Sequence, residues 1–191
     1  MAQSEKARRR RKAVRKPYRQ GDLDGLCGVY SVINAVRYLC PELDAESAEL
    51  LFGQLMYRML TTARDPGNAV VWGIGRLMVM RLVREAALMM MDDFDITLKA
   101  RWLPKRYRNG VARDQLWQAL EKHMSGAAVA IVGIAGKHSH WTVVSKVSPT
   151  SMRLFDSGQL KALPRSRCTV RPTVKRHQIF GMYVVVIERC E

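Results

Sequence analysis

A chain of 191 residues with 48% hydrophobic and 26% charged residues has enough apolar side chains for one folded domain, which excludes collagen-like, low-complexity and wholly disordered classes. Lysine and arginine number 32 against 17 acidic residues, so the formal charge is +15. The longest apolar run, at 127–135, is far shorter than the ~20 residues that span a bilayer, so we expect no transmembrane segment.

The first nineteen residues are strongly basic. They contain nine lysines and arginines and one glutamate, and very few large apolar side chains that would offset the entropy of ordering them. We therefore expect 1–19 to be a flexible basic arm and 20–191 to be the folded domain. Such an arm suits weak binding to nucleic acid or another polyanion, although a solvated tail explains the composition equally well.

The chain has four cysteines: Cys27, Cys40, Cys168 and Cys190. They are too few for a disulfide scaffold in a chain of this length, and none lies in the Cys-x-x-Cys spacing of a zinc ribbon. No apolar segment typical of a secretory signal follows the basic arm, so we expect a cytoplasmic protein, or one delivered without such a signal. We expect neither a metal nor a cofactor.

Helical spacing of apolar residues predicts three helices in the first half, at 26–39, 45–61 and 75–91. Cys40-Pro41 ends the first helix, because the residue before a proline is disfavoured in helical conformation. Asp44 is the predicted N-cap of the second helix. We interpret the methionines of the third helix as core side chains.

Strand patterns dominate the second half. Alternating residues predict a strand at 94–102, and a further helix is predicted at 111–124. Four short runs rich in valine and isoleucine follow, at 127–134, 140–147, 152–155 and 182–188. Helices first and a mostly antiparallel sheet afterwards predict an α+β fold.

Cys27 is the candidate nucleophile. It falls in the first turn of the first predicted helix, after a glycine-rich turn and before Gly28. Unpaired backbone amides and the helix dipole stabilise an anion at such a position, and the thiolate is the nucleophilic form of cysteine. A small core cysteine would fit the same position, so the interpretation depends on a partner for the thiol.

His140 and Asp156 are the candidate partners. The turn sequence at 148–150 lies between two predicted strands and indicates a hairpin centred near Ser148. In an antiparallel pair with this centre, opposed residue numbers add up to about 296, which places His140 and Asp156 opposite each other on one face. A carboxylate at that position can orient an imidazole. The other histidines, His123, His138 and His177, are weaker candidates.

Three short motifs around these residues resemble the papain-like cysteine peptidases: QGDLDGLCG at 20–28, HWTVV at 140–144 and LFDSG at 154–158. The resemblance is to bacterial members in particular, such as peptidases that trim bacteriocin leaders and secreted cysteine-protease effectors. It implies a papain-like α+β fold in which Cys27 is the nucleophile and His140 the general base and acid. It further implies that Asp156 orients His140, and that Gln20 donates its side-chain amide to the oxyanion beside the Cys27 N–H.

The favoured function is therefore a thiol hydrolase that cleaves a peptide or isopeptide bond in a protein substrate. The same order of cysteine, histidine and aspartate also serves acyl transfer, as in transglutaminases and deamidases. A non-enzymatic basic module that binds nucleic acid or an acidic protein is a third alternative. Six basic residues and no acidic residue lie between Ser157 and Ile187: Lys161, Arg165, Arg167, Arg171, Lys175 and Arg176. They suit an acidic substrate or nucleic acid, although solvated loops explain them as well.

Overall fold

The structure is a computed structural model that describes residues 16–21, 24–104 and 112–190, so residues 1–15 of the predicted arm lie outside the described residues. Within these ranges the helices are α1 (Cys27–Leu39), α2 (Ala45–Thr62), α3 (Pro66–Trp72), α4 (Arg76–Phe94) and α5 (Arg113–His123). The strands are β1 (Leu98–Trp102), β2 (Ala128–Gly136), β3 (His140–Val147), β4 (Ser151–Leu154), β5 (Ala162–Pro164), β6 (Cys168–Thr169) and β7 (His177–Arg189).

The strands of the described residues form one sheet in the order β1-β7-β2-β3-β4-β5, with β6 paired to β7. Every pairing is antiparallel except that of β6 with β7, which is parallel. The helices α1–α4 precede all the strands in the chain, whereas α5 lies between β1 and β2. The architecture is α+β with a mostly antiparallel sheet, as the sequence predicts.

The sheet is covered on both faces. Along β2, Val129 and Ile131 belong to the core formed with α1–α4, whereas Ala130 and Val132 belong to the core formed with α5. This two-sided burial explains why the strands read as continuous apolar runs rather than as alternating patterns. Among the described helices, none combines the length and the apolar character that crossing a membrane would require.

Several element boundaries differ from the predictions. Helix α3 was not predicted, although Asp65 before Pro66 is a typical helix start, and the Asp65 carboxylate accepts a hydrogen bond from the Asn68 N–H at 3.0 Å. Strand β7 begins at His177 rather than at residue 182, and β5 and β6 were not predicted. The predicted N-cap Asp44 is confirmed, since its carboxylate accepts a hydrogen bond from the Ser47 N–H at 2.8 Å.

Residues 16–21 lie along helix α1. The Tyr18 N–H donates to Asn34 Oδ1 at 2.7 Å, and Asn34 Nδ2 donates to the Tyr18 carbonyl at 3.0 Å. Arg37 donates to the Lys16 carbonyl and to the Tyr18 hydroxyl, at 3.0 and 2.9 Å. These bonds attach the last residues of the predicted arm to the domain and lead the chain toward Gln20.

Candidate active site

Cys27 is the first residue of helix α1 and is half-buried. The cap residue Leu26 provides no side-chain hydrogen bond to the first turn, so the first N–H groups of the helix have no side-chain cap. Helix α1 behind Cys27 is anchored in the core, with Val29 and Val32 fully buried. The thiol therefore lies at the positive end of a rigid helix, a position that stabilises an anion.

Two glycines allow a second chain segment to approach this helix start closely. The Gly25 N–H donates to the Val70 carbonyl at 2.7 Å, and a Cβ at Gly25 would lie only 2.5 Å from the Gly73 nitrogen. A Cβ at Gly28 would lie 2.6 Å from Cγ1 of Ile74. Residues 70–74 therefore run directly beside Cys27, and only glycine leaves room for this contact.

His140 and Asp156 are hydrogen-bonded side chain to side chain. His140 Nε2 lies 2.7 Å from Asp156 Oδ1, and the Asp156 side chain is completely buried. The second carboxylate oxygen accepts a hydrogen bond from the Leu160 N–H at 3.0 Å, which fixes the carboxylate. His140 is also in side-chain contact with Cys27. The three predicted site residues are thus brought together, and Nδ1 of His140 is the ring nitrogen left for the thiol.

The predicted register of the hairpin is wrong by two residues. Val144 opposes Leu154, so a continuation of this pairing puts Asp156 opposite Thr142 rather than opposite His140. A shift of two residues leaves a side chain on the same face of the sheet, because the side-chain period of a strand is two. The carboxylate therefore reaches the imidazole diagonally, from the position beyond the end of β4.

The charges of the pair stabilise each other. Burial lowers the pKa of His140, but the hydrogen bond and charge of Asp156, together with the contact with Cys27, outweigh burial and raise this pKa to about 9. Burial raises the pKa of Asp156, but the hydrogen bond and charge of His140 outweigh it, helped by the Thr142 hydroxyl and the Leu160 N–H, and lower this pKa overall. The arrangement favours an imidazolium next to a carboxylate.

Gln20 lies beside the loop that follows Asp156. Its backbone N–H donates to the Ser157 carbonyl at 3.3 Å, and its side-chain amide donates to the Asp24 carbonyl. An amide group has two N–H donors, so one of them remains for another acceptor. The role of Gln20 as an oxyanion donor stays a prediction.

A cleft of about 360 Å³ opens in front of Cys27 and His140. Its other walls include residues that were not predicted to belong to the site: Trp72, Gly73, Ile74, Ile134, Phe180 and Tyr183. Trp141 is buried, and its indole N–H donates to the Ile74 carbonyl at 2.9 Å, so it belongs to the core and anchors one wall of the cleft. Trp72, two residues before Ile74, also lines the cleft and is 82% exposed.

The remaining histidines and cysteines lie apart from Cys27 and His140. His138 stacks on His177 with ring centroids 5.5 Å apart, and His123 ends helix α5. Cys40 and Cys168 are buried, whereas Cys190 is half-buried like Cys27. Among the described residues, no three His, Cys, Asp or Glu side chains are grouped so that they could hold a metal ion.

The chain was compared with models of known protein families, with curated proteins and with solved structures. None of the three comparisons found a significant match.

Proposed function

We propose that the protein is a papain-like cysteine peptidase, a thiol hydrolase that cleaves a peptide or isopeptide bond in a protein substrate. The observation that carries this proposal is the Asp156–His140 hydrogen bond of 2.7 Å, with His140 in contact with a cysteine at a helix N-terminus. A nucleophile, a proton-transferring base and a group that orients the base are the components of a catalytic triad.

In the first half of the reaction, the Cys27 thiolate attacks the carbonyl carbon of the substrate. The negative charge that develops on the carbonyl oxygen is stabilised by the Cys27 N–H and by the free N–H of the Gln20 amide. The imidazolium of His140 then gives its proton to the leaving nitrogen as the C–N bond breaks. The products are a free amine and a thioester between the substrate and Cys27.

In the second half, His140 removes a proton from water while the water oxygen attacks the thioester carbon. The C–S bond breaks, a carboxylic acid leaves, and Cys27 returns to the thiolate beside a protonated His140. Asp156 keeps Nε2 of the imidazole protonated and its ring oriented throughout, so that Nδ1 exchanges protons with the reactants. No step needs a cofactor.

The cleft favours a substrate with an apolar side chain near the scissile bond. Ile74, Phe180 and Tyr183 present apolar or aromatic surface beside Cys27. A catalytic thiol has to stay reduced, which favours the cytoplasm as the place of action. The basic arm adds a weak contact with polyanions and no part of the chemistry.

The experiment is cleavage of a peptide library by the wild-type protein, the Cys27→Ala variant and the Cys190→Ala variant, with new termini identified by mass spectrometry. Cys190 is the matched control because it is also half-buried and unpaired. We expect the same products from the wild type and from Cys190→Ala, and none from Cys27→Ala.

Two outcomes of this experiment would contradict the proposal. Equal cleavage by Cys27→Ala would mean that the thiol is not the nucleophile. Cys27-dependent mass changes of glutamine side chains without new termini would mean that the site performs deamidation or acyl transfer instead of peptide hydrolysis.

A further inference from the structure

The loops next to the cleft carry a group of basic side chains. We name this group the basic rim; it consists of Lys137, His138, Arg167, Arg171, Lys175 and Arg176, all exposed. Among the described residues, none of these six side chains forms an ion pair with a carboxylate. Some other described cations do have such a partner, as Arg165 pairs with Asp114 at 3.0 Å and Arg189 with Glu42 at 2.7 Å.

The basic rim is built by packing and is not a set of loose tails. Gly136 ends β2 with φ of 85°, and a Cβ there would lie 2.3 Å from the Arg176 carbonyl and 2.7 Å from the Thr173 carbonyl. The Lys137 N–H donates to the Arg176 carbonyl at 3.1 Å. The two loops that carry five of the six rim residues, at 136–139 and 170–176, are therefore held against each other, and Arg167 lies just before the second loop.

The stacked rings of His138 and His177 support the same junction. Their centroids are 5.5 Å apart, and His177 is buried. Burial lowers the pKa of His177, and the nearby side chains of His138, Lys137 and Arg167 lower it further. Lys137 and Arg167 therefore both act on His177, which indicates a positive field at this end of the sheet.

The basic rim is continuous with the cleft. Ala135 and Ser139 line the cleft, and Gly136, Lys137 and His138 are the residues between them in the chain. Ala135 pairs with Gln178, and the next pair along the ladder, Gly136 with His177, is adjacent in the chain to the rim residues Lys137 and Arg176. Two residues along a strand span roughly 7 Å, so the rim begins about that far from the cleft wall.

We propose that the basic rim is a specificity subsite that binds acidic residues of the peptide substrate, a few positions away from the bond cleaved at Cys27. This inference rests on the proposed peptidase function and names the class of substrate. A peptide lying in the cleft continues over the rim, where its Asp or Glu side chains meet lysine and arginine donors that have no carboxylate partner among the described residues.

Apart from the exposed Trp72, the aromatic residues of the cleft pack against one another, which favours a peptide over a single-stranded nucleic acid. Nucleic-acid grooves offer exposed ring faces on which successive bases stack. Here Phe180 and Tyr183 pack against each other with centroids 5.2 Å apart, and Tyr183 also packs against Trp141 at 5.5 Å. These rings form a wall of the cleft and leave charge as the main recognition feature of the rim.

The test combines binding with cleavage. Fluorescence anisotropy measures the affinity of the full-length Cys27→Ala protein for a labelled Asp/Glu-rich peptide and for the matched Asn/Gln peptide. The rim variant Lys175→Gln/Arg176→Gln is compared with the control Arg81→Gln/Arg84→Gln, which removes the same charge from exposed positions on helix α4. Both variants keep the basic arm and lose two positive charges, so they differ from each other only in where the charge is removed.

We expect the acidic peptide to bind more tightly than its amide counterpart, and the rim variant to lose roughly fivefold in affinity while the control variant retains it. In active protein, the ratio of kcat/KM for acidic over amide peptides falls by a similar factor in the rim variant. Cys27-dependent cleavage without any acidic preference would overturn this inference and leave the peptidase function standing. A rim-dependent preference for a single-stranded oligonucleotide, with no binding of the acidic peptide, would also overturn it.

Discussion

His140 Nε2 and Asp156 Oδ1 lie 2.7 Å apart although the two residues do not oppose each other in the β3–β4 ladder. Next to the turn, Lys146 opposes Arg153, and this register would put Asp156 opposite Val143, on the face turned away from His140. The register shifts by one residue between Lys146 and Val144. This bulge returns Asp156 to the face of His140, so the proposed triad depends on an irregularity in the hairpin.

Loss of the Asp156 carboxylate is expected to lower activity far more than it lowers stability. Asp156→Ala removes the group that orients His140 and stabilises its imidazolium, so kcat/KM for a cleaved peptide falls by about 10³- to 10⁴-fold. Asp156→Asn retains part of the activity, because an amide oxygen can still accept the imidazole N–H. Asp92→Asn, at an exposed position on α4, is the control; a similar loss there, or full activity in Asp156→Ala, would contradict the assigned role.

The imidazole of His140 is expected to titrate well above its ordinary range. Its pKa in the folded protein is about 9 against the ordinary 6.5. A raised folded-state pKa means that the pair stabilises the fold fully below pH 6.5, and that this contribution is lost as the pH rises through about 9. NMR titration of the ring signals checks this directly, with His177 as an internal comparison, because its pKa is lowered. A His140 midpoint at or below 6.5 would contradict the pairing.

The close contact at Gly25 is expected to tolerate no side chain. Gly25→Ala pushes a Cβ against the Gly73 nitrogen and the Val71 carbonyl, so we expect a loss of about 1–3 kcal/mol in unfolding free energy and a loss of activity as residues 70–74 move away from Cys27. Gly53→Ala is the matched control: Gly53 lies within α2 with open space around it, so the change gains about 1 kcal/mol. Thermal unfolding and peptide turnover measure both.

Two truncations are expected to separate the arm from the domain. Deleting residues 1–15 leaves small-peptide turnover unchanged, since no proposed catalytic group lies there. Deleting residues 1–19 also removes Tyr18, which satisfies both polar atoms of the fully buried Asn34, and costs about 1–3 kcal/mol of stability. Equal stability of the two truncated proteins, measured by urea unfolding, would contradict this division.

The sequence is sufficient to predict most helices, the α+β class and the residues of the candidate triad, because these depend on local periodicity and on one short hairpin. It is not sufficient to predict the register, since the bulge near Ser145 has no local signature. The walls of the cleft were missed for a different reason. Residues 70–74 approach Gly25 and Gly28 although the two segments are distant in sequence. Hydrophobic periodicity predicts local structure and not such long-range contacts. Of the elements that were not predicted, only α3 has a local sequence signal, which is the helix start at Asp65-Pro66.

The most direct test of the account is the rate at which iodoacetamide alkylates Cys27 relative to Cys190 at pH 5.5, measured by mass spectrometry in the wild type and in His140→Ala. Both thiols are half-buried, so access does not distinguish them. If His140, held protonated by Asp156, stabilises a thiolate at the start of α1, Cys27 reacts at least ~10-fold faster than Cys190, and His140→Ala removes the difference. Equal rates in the wild type, or a Cys27 advantage that survives His140→Ala, would contradict the central claim.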